Sequence, residues 1–152
     1  MKLYLPLPPK SCSGNPGSLG RWKKAKDRKE CRRLADLLLK DVRHYESVLW
    51  LKSEMQKSGM RLRVQFDGYP AQRGLLEAGR CCPADDDNGV IACKGYRDGI
   101  ADALGIDDKQ MTSRWFRFST KSAADRRREQ GDVPEFGCVI VTFHPYKEAP
   151  RG

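Results

Sequence analysis

Alternating and helical spacings of apolar residues divide the first half of the chain into predicted elements. Residues 3–8 alternate apolar side chains with prolines, which indicates an edge strand, because proline cannot donate to a central ladder. A helical stretch is predicted from Trp22 to Ser58: it opens with a basic run, and apolar residues then recur every three or four positions from Leu34 to Leu51. This spacing predicts a helix, either long or broken near residues 40–47, with Gly59 as its C-cap. Residues 61–66 alternate with period two and predict a strand with one buried face.

The second half of the chain continues the pattern. Residues 89–104 have helical spacing, and one predicted core face of that helix contains Val90, Cys93, Tyr96, Ile100 and Leu104. An aromatic-rich strand is predicted at 110–119. The most apolar strand, expected at the centre of the sheet, is predicted at 136–143.

The order of these elements predicts the fold class. A sequence of β, α, β, α, β, β indicates an α+β fold, with a small mixed β-sheet and helices packed on one side. The length of 152 residues suits a single domain spanning 1–152. Within it, residues 9–20 are expected to form a mobile loop and residues 145–152 a frayed tail.

Composition narrows the environment and the partners. The chain has 29 Lys and Arg against 20 Asp and Glu, a net charge of +9, which favours a polyanionic partner, with nucleic acid first and an anionic membrane surface second. No apolar stretch is long enough to span a membrane, and the first residues lack the pattern of a secretory signal, so cytoplasmic residence is expected. The six cysteines lack zinc-finger spacing and are expected to be free thiols.

Acidic residues cluster at two points of this basic chain: Asp85-Asp86-Asp87-Asn88, and then Asp107-Asp108. Carboxylates are the ligands that Mg²⁺ prefers, and a bound Mg²⁺ bridges them to phosphate and water. In an extended loop residues i and i+2 point the same way, so Asp85 and Asp87 can face one ion. Asp87 or Asn88 can then cap the following helix near Gly89. Lys94, two turns past Asp87, can reach a scissile phosphate or orient the attacking water.

Structural explanations compete with the metal hypothesis at each of these positions. Acids at a helix start favour the positive end of the helix dipole, Asp107-Asp108 can be a plain turn, and Lys94 with Asp98 can be a surface pair. A D-x-D motif also serves glycosyltransferases, which hold a nucleotide sugar through a metal. Residues in the aromatic strand can stack on bases, although core packing is favoured for Trp115, Phe116 and Phe118.

One longer pattern adds to these observations: Asp85-x-Asp87-Asn88, Lys94, Asp98-Gly99, Asp102-Ala103-Leu104 and Ile106-Asp107-Asp108. This run resembles the RusA-type Holliday junction resolvases, which phages and prophages carry. The opening Leu5-Pro6-Leu7-Pro8-Pro9 also matches the first strand and proline pair of that family.

The resemblance implies a homodimeric, Mg²⁺- or Mn²⁺-dependent endodeoxyribonuclease that makes paired nicks across a four-way DNA junction in the cytoplasm of a bacterial host. By position, Asp85, Asp87 and Asp108 correspond to the metal-binding carboxylates and Lys94 to the helix lysine. Two departures stand out. The lysine lies two turns past the second Asp, and Cys81-Cys82-Pro83-Ala84 stands where many members have arginines.

Two basic segments are the candidates for DNA contact, and we expect them to bind phosphates and not bases. The candidate DNA-binding residues are Lys10, Arg21, Lys23, Lys24, Lys26, Arg126, Arg127 and Arg128. A two-fold dimer would supply the second cut, with residues 136–143 or the helix around 34–51 as its interface. Two alternatives remain: a DNA-binding recombination accessory protein without turnover, and a nuclease acting on flaps or other branched DNA.

Overall fold

The computed structural model describes residues 1–14, 20–69, 86–117 and 137–148. The strands are β1 (Lys2–Pro6), β2 (Met60–Tyr69), β3 (Met111–Arg117) and β4 (Cys138–Lys147). The α-helices are α1 (Arg21–Leu39), α2 (Tyr45–Met55), α3 (Asp86–Ala92) and α4 (Lys94–Leu104). Short 3₁₀ helices are present at Lys10–Cys12, Val42–His44 and Asp108–Gln110.

The four strands form one mixed sheet in the order β1-β4-β2-β3. β4 pairs antiparallel with both β1 and β2, whereas β2 and β3 run parallel, joined by a connection that contains α3 and α4. The α+β prediction is confirmed. So are the edge position of the proline-rich first strand and the interior position of the most apolar strand.

The helices pack on one face of this sheet. Alternate residues of β2, namely Leu62, Val64 and Phe66, are fully buried there and share one core with Val139 and Val141 of β4. The core face predicted for residues 89–104 holds as well, since Cys93, Tyr96, Ile100 and Leu104 are buried and Val90 packs against them. A smaller buried cluster lies on the opposite face of the sheet, formed by Tyr69, Cys138 and Ile140 with Tyr4.

The predicted long helix is broken, as the sequence allowed. α1 ends at Leu39, and the side chain of Asp41 accepts a hydrogen bond from the Arg43 backbone N–H at 2.9 Å, starting a 3₁₀ turn before α2. The predicted C-cap at Gly59 is wrong. Gln56 occupies that position, and Gly59, with φ of 75°, forms the turn that leads into β2.

Two further boundaries differ from the sequence prediction. The helix expected at 89–104 begins at Asp86, so Asp87 and Asn88 lie inside its first turn and do not cap it, and it is interrupted at Cys93. Its predicted end is confirmed at Gly105, which adopts the left-handed conformation with φ of 67°. Residues 145–147 belong to β4, where β2 offers them a pairing edge, and are not part of a frayed tail.

The loop predicted at 9–20 is partly structured. Ser11 and Cys12 lie buried in the first 3₁₀ helix, while residues 15–19 lie outside the described residues, as do residues 149–152. Within the described ranges, no helix combines the length and the apolar character needed to cross a membrane.

Candidate functional site

Helices α1 and α4 run side by side in the same direction. They pack closely because two glycines of α4 let the two backbones approach. A β-carbon at Gly95 would lie 2.6 Å from the Arg28 carbonyl oxygen and 2.9 Å from Cys31 Cβ. Gly99 lies one turn after Gly95 in α4, and a β-carbon there would collide with the carbonyl oxygen of Arg32, which lies one turn after Arg28 in α1. The start of α1 therefore extends past the start of α4, toward α3.

An ion pair spans the same contact one turn further on. The Arg32 guanidinium donates to both carboxylate oxygens of Asp102, at 2.5 and 2.8 Å. These hydrogen bonds hold the pKa of Asp102 below its ordinary value. Gly99 and Asp102, both part of the sequence run that suggested a nuclease, thus serve to join α4 to α1.

The segment before α1 connects the basic start of α1 to the acidic start of α3. Lys24 Nζ donates to the Ser13 carbonyl oxygen at 2.8 Å, and Ser11 donates to the Asp27 carboxylate. The next residue, Gly14, lies so close to the Asn88 side chain that a β-carbon there would overlap Asn88 Oδ1. Asp87, next to Asn88 in the first turn of α3, is exposed, and residues Ser13 and Gly14 join this turn to the Lys24 side chain of α1.

A buried indole sets the position of α3 on the sheet. Trp115 is 1% exposed, and its ring fills the space where a β-carbon of Gly89 in α3 or of Gly68 in β2 would lie. The preference for core packing is confirmed for Trp115. Phe118 and the side chain of Phe116 lie outside the described residues.

The second acidic group lies in the turn before β3. Asp107 caps the 3₁₀ helix there, and the hydrogen bond that its carboxylate accepts from the Lys109 backbone N–H lowers its pKa. The Arg97 guanidinium holds the turn, donating to the Asp108 carbonyl oxygen at 2.7 Å and to the Met111 carbonyl oxygen at 3.2 Å. The Asp108 side chain is exposed.

The structure does not bring Asp87 and Asp108 together within one chain. α3 lies over Trp115, whereas Asp108 precedes Met111, and four strand residues span about 13 Å. Arg97 of α4 contacts the Met111 end of β3, so α3 and α4 together run from the Trp115 end of this strand toward its Met111 end. Asp87, at the start of α3, therefore lies farther still from Asp108. No three His, Cys, Asp or Glu side chains form a metal-binding group among the described residues, and Asp85 lies outside them.

The predicted lysine is engaged in the surface pair that the sequence offered as an alternative. Lys94 Nζ lies 3.4 Å from Asp98 Oδ1, and its side chain is 47% exposed. It lies just after the interruption at Cys93, so a break in the helix separates Lys94 from Asp87.

The predicted DNA-binding residues differ in exposure and in whether another group of the chain binds them. Lys10, Arg21 and Lys26 are exposed, whereas Lys23 pairs with Asp27 at 3.1 Å and Lys24 with the Ser13 carbonyl. Arg126, Arg127 and Arg128 lie outside the described residues. The described candidates therefore form one basic region around the start of α1.

Three buried cysteines and a buried tyrosine belong to the main core beneath the helices, whereas Cys138 belongs to the cluster on the opposite face of the sheet. The thiols of Cys12, Cys31, Cys93 and Cys138 are buried and form no disulfide bond, as expected, and burial raises the pKa of the Cys31 thiol to about 12. The Tyr96 hydroxyl donates to the Pro6 carbonyl oxygen at 2.9 Å, which ties β1 to α4, and burial raises its pKa. Burial also raises the pKa of the Cys12 thiol, and protonated buried thiols are poor nucleophiles, so Cys12 and Cys31 are structural.

Comparison with known proteins adds one relative. An uncharacterized protein of Xylella fastidiosa (strain Temecula1) is 35% identical to this chain over 112 residues, which is 73% of this chain and 62% of that protein. The chain thus spans less than two thirds of that relative's length. No protein-family model and no solved structure matches the chain.

Proposed function

We propose that the protein is a metal-dependent endodeoxyribonuclease that resolves four-way DNA junctions by paired nicks. The observation that carries the proposal is the position of Asp87, which is exposed at the start of α3 beside the basic start of α1. Carboxylates next to exposed cations suit a site where a divalent ion and a phosphate backbone meet, because the carboxylates neutralise the ion and the cations neutralise the phosphates.

The donor atoms suit Mg²⁺ or Mn²⁺, but one chain does not assemble the site from its described residues. Asp85, Asp87 and Asp108 would hold the metal, which when bound supplies an activated water and stabilises charge on the phosphate. Because Asp87 and Asp108 lie at opposite ends of β3, we propose that Asp108 of the partner subunit completes the site. Two such sites form in a two-fold dimer, one for each strand to be cut.

Exposed apolar side chains at both ends of α1 support a two-fold contact. Trp22 is 74% exposed at the start of the helix, while Val42 and Tyr45 are 85% and 61% exposed just beyond its end. β4, the first interface candidate from the sequence, is an interior strand with Val139 and Val141 fully buried, which leaves the helical surface. In a two-fold dimer, patches at opposite ends of α1 can cover one another.

Cleavage of a labelled four-way junction tests the activity. With Mg²⁺, the wild-type chain should release paired-nick products from the junction and leave a linear duplex of the same sequence intact. Asp87→Asn should abolish cleavage while junction binding persists. Cleavage by Asp87→Asn at the wild-type rate would refute the site. Binding without cleavage by the wild type would favour the accessory-protein alternative, and preferred cleavage of a flap would favour the other.

Mixing two inactive variants tests the shared site. In a mixed dimer of Asp87→Asn and Asp108→Asn chains, one site loses both carboxylates and the other keeps both. Equimolar mixing makes about half of the dimers mixed, so about a quarter of the wild-type nicking should return, as single nicks. If labelled subunits exchange and no nicking returns, each site lies within one chain.

A further inference from the structure

The sheet face opposite the helices is divided into an apolar half and a basic half. The apolar half contains the buried cluster of Tyr69, Cys138 and Ile140. Toward the other end of the same strands, alternate residues are polar or basic, because the side-chain period of a strand is two. We call this second half the basic sheet face and define it by Lys2, Arg61, Arg63, Arg114, His144 and Tyr146.

The strand register places these residues in adjacent rows. Arg63 in β2 lies opposite His144 in β4, and Arg61 lies opposite Tyr146. Gln65 in the next row connects Arg114 in β3 to Thr142 in β4, which is opposite Lys2 in β1. Lys2 and Arg114 thus stand three strand spacings apart, about 14 Å.

The charge of this face is strongly one-sided. The strands present four Lys or Arg side chains on this side of the sheet. Among the described strand residues, the carboxylate on the same side is that of Asp67, which is buried and accepts hydrogen bonds from Gln65. Glu148, just past β4, pairs with Arg61 at 2.9 Å. Lys2, Arg114 and His144 are exposed. Such a face attracts a polyanion.

An aromatic group lies among these cations. The Arg63 guanidinium sits over the Tyr146 ring at 5.1 Å from its centre, and Arg61 is the strand-pairing partner of Tyr146. Cations interleaved with a flat π-surface are the pattern that binds single strands, because unpaired bases offer faces for stacking, whereas a duplex hides them.

We propose that the basic sheet face binds single-stranded nucleic acid, with phosphates at Lys2, Arg63 and Arg114 and bases stacked on Tyr146. This surface is separate from Asp87 and from the start of α1, which lie on the helical side of the sheet. It neither needs a metal nor depends on the proposed nuclease activity. In a branched DNA it would take the unpaired strand.

Anisotropy of a labelled oligothymidylate, measured with the full chain in EDTA across a salt series, tests the proposal. Arg63→Gln with Arg114→Gln should lower the slope of log K against log salt by about 1.4, since each contact with a single strand contributes about 0.7. At 0.1 M salt that slope change corresponds to about a 25-fold loss of affinity. The matched control, Lys40→Gln with Arg43→Gln, removes the same charge from the α1–α2 connection and should leave the slope unchanged.

Stacking is tested separately from charge. Tyr146→Leu should weaken binding at least fivefold with no change in salt slope, while Tyr146→Phe, which keeps the ring, should bind like the wild type. Asp87→Asn should also bind like the wild type, which separates this surface from the proposed active site. Equal losses in the two charge variants, or a duplex of equal length that binds as tightly as the single strand, would overturn the assignment.

Discussion

A single added methyl group tests the packing of α1 against α4. In Gly99→Ala the new β-carbon would meet the Arg32 carbonyl oxygen, the Arg32 carbonyl carbon at 2.9 Å and the Ala35 β-carbon at 3.0 Å. Two of these atoms belong to the backbone and cannot rotate away. The two helices must therefore separate, which also strains the Arg32–Asp102 pair across the same contact.

The expected change in stability has two parts of opposite sign. Alanine is favoured over glycine in a helix interior by about 1 kcal/mol. Overpacking costs about 1–3 kcal/mol, and a backbone obstacle puts this case at about 3 kcal/mol. The net result is a loss of about 2 kcal/mol, which lowers the urea midpoint by about 1 M at a slope of about 2 kcal/mol/M.

Urea unfolding followed by circular dichroism measures this loss. The matched control is Asp98→Ala in the same helix, whose side chain points to the surface and whose replacement should change stability by less than about 0.5 kcal/mol. The double variant Gly99→Ala with Ala35→Gly should remain destabilised, because it relieves the contact with the side chain but not those with the backbone. A higher midpoint for Gly99→Ala, as helix propensity alone predicts, would refute the close packing.

Three other results are expected. The hydrogen bond from Ser11 lowers the pKa of Asp27 below its ordinary 3.8, so this carboxylate stabilises the fold at neutral pH and the stabilisation is lost as the pH falls below about 4. The melting-temperature difference between wild type and Asp27→Asn should shrink from pH 7 to pH 2.5, and a constant difference would contradict this. Iodoacetamide at pH 8 should leave Cys31 unmodified in the folded chain and alkylate it in urea, as read by peptide mass spectrometry, because burial raises its pKa to about 12; rapid labelling without urea would show that the site opens. Lys26→Gln should lower the salt slope for duplex DNA by about 0.9, whereas Lys40→Gln should not.

Local sequence patterns predict the helices and strands well, but they predict poorly which residues of different elements come into contact. The two-residue period of β2 and the apolar run of β4 identify strands because burial on a pleated sheet demands those spacings. The sequence spacing of Asp87 and Asp108 does not predict that they lie at opposite ends of β3, since the distance between them depends on how far α3 and α4 run along the strand. The sequence also does not decide whether Asp87 precedes its helix or lies in the first turn, because an acidic residue suits both positions.

Two further features of the structure have a signal in the sequence. Gly95 and Gly99 are four apart, the spacing that lines small residues along one helix face, and they mark the contact with α1. Arg61 and Arg63 alternate with the buried residues of β2, so the same period that predicted the strand also predicted a basic outer face.

The pairing of β1 with β4 has a consequence for how the chain is made. Pro6 pairs with Cys138 and Lys2 with Thr142, so β1 leaves the ribosome long before the strand with which it pairs. At about 5–20 residues per second that interval is on the order of ten seconds. During it Leu3 and Leu5, fully buried in the finished sheet, have no β4 to pair beside. Such distant contacts slow folding, and the apolar side chains of β1 stay unburied until β4 has been made.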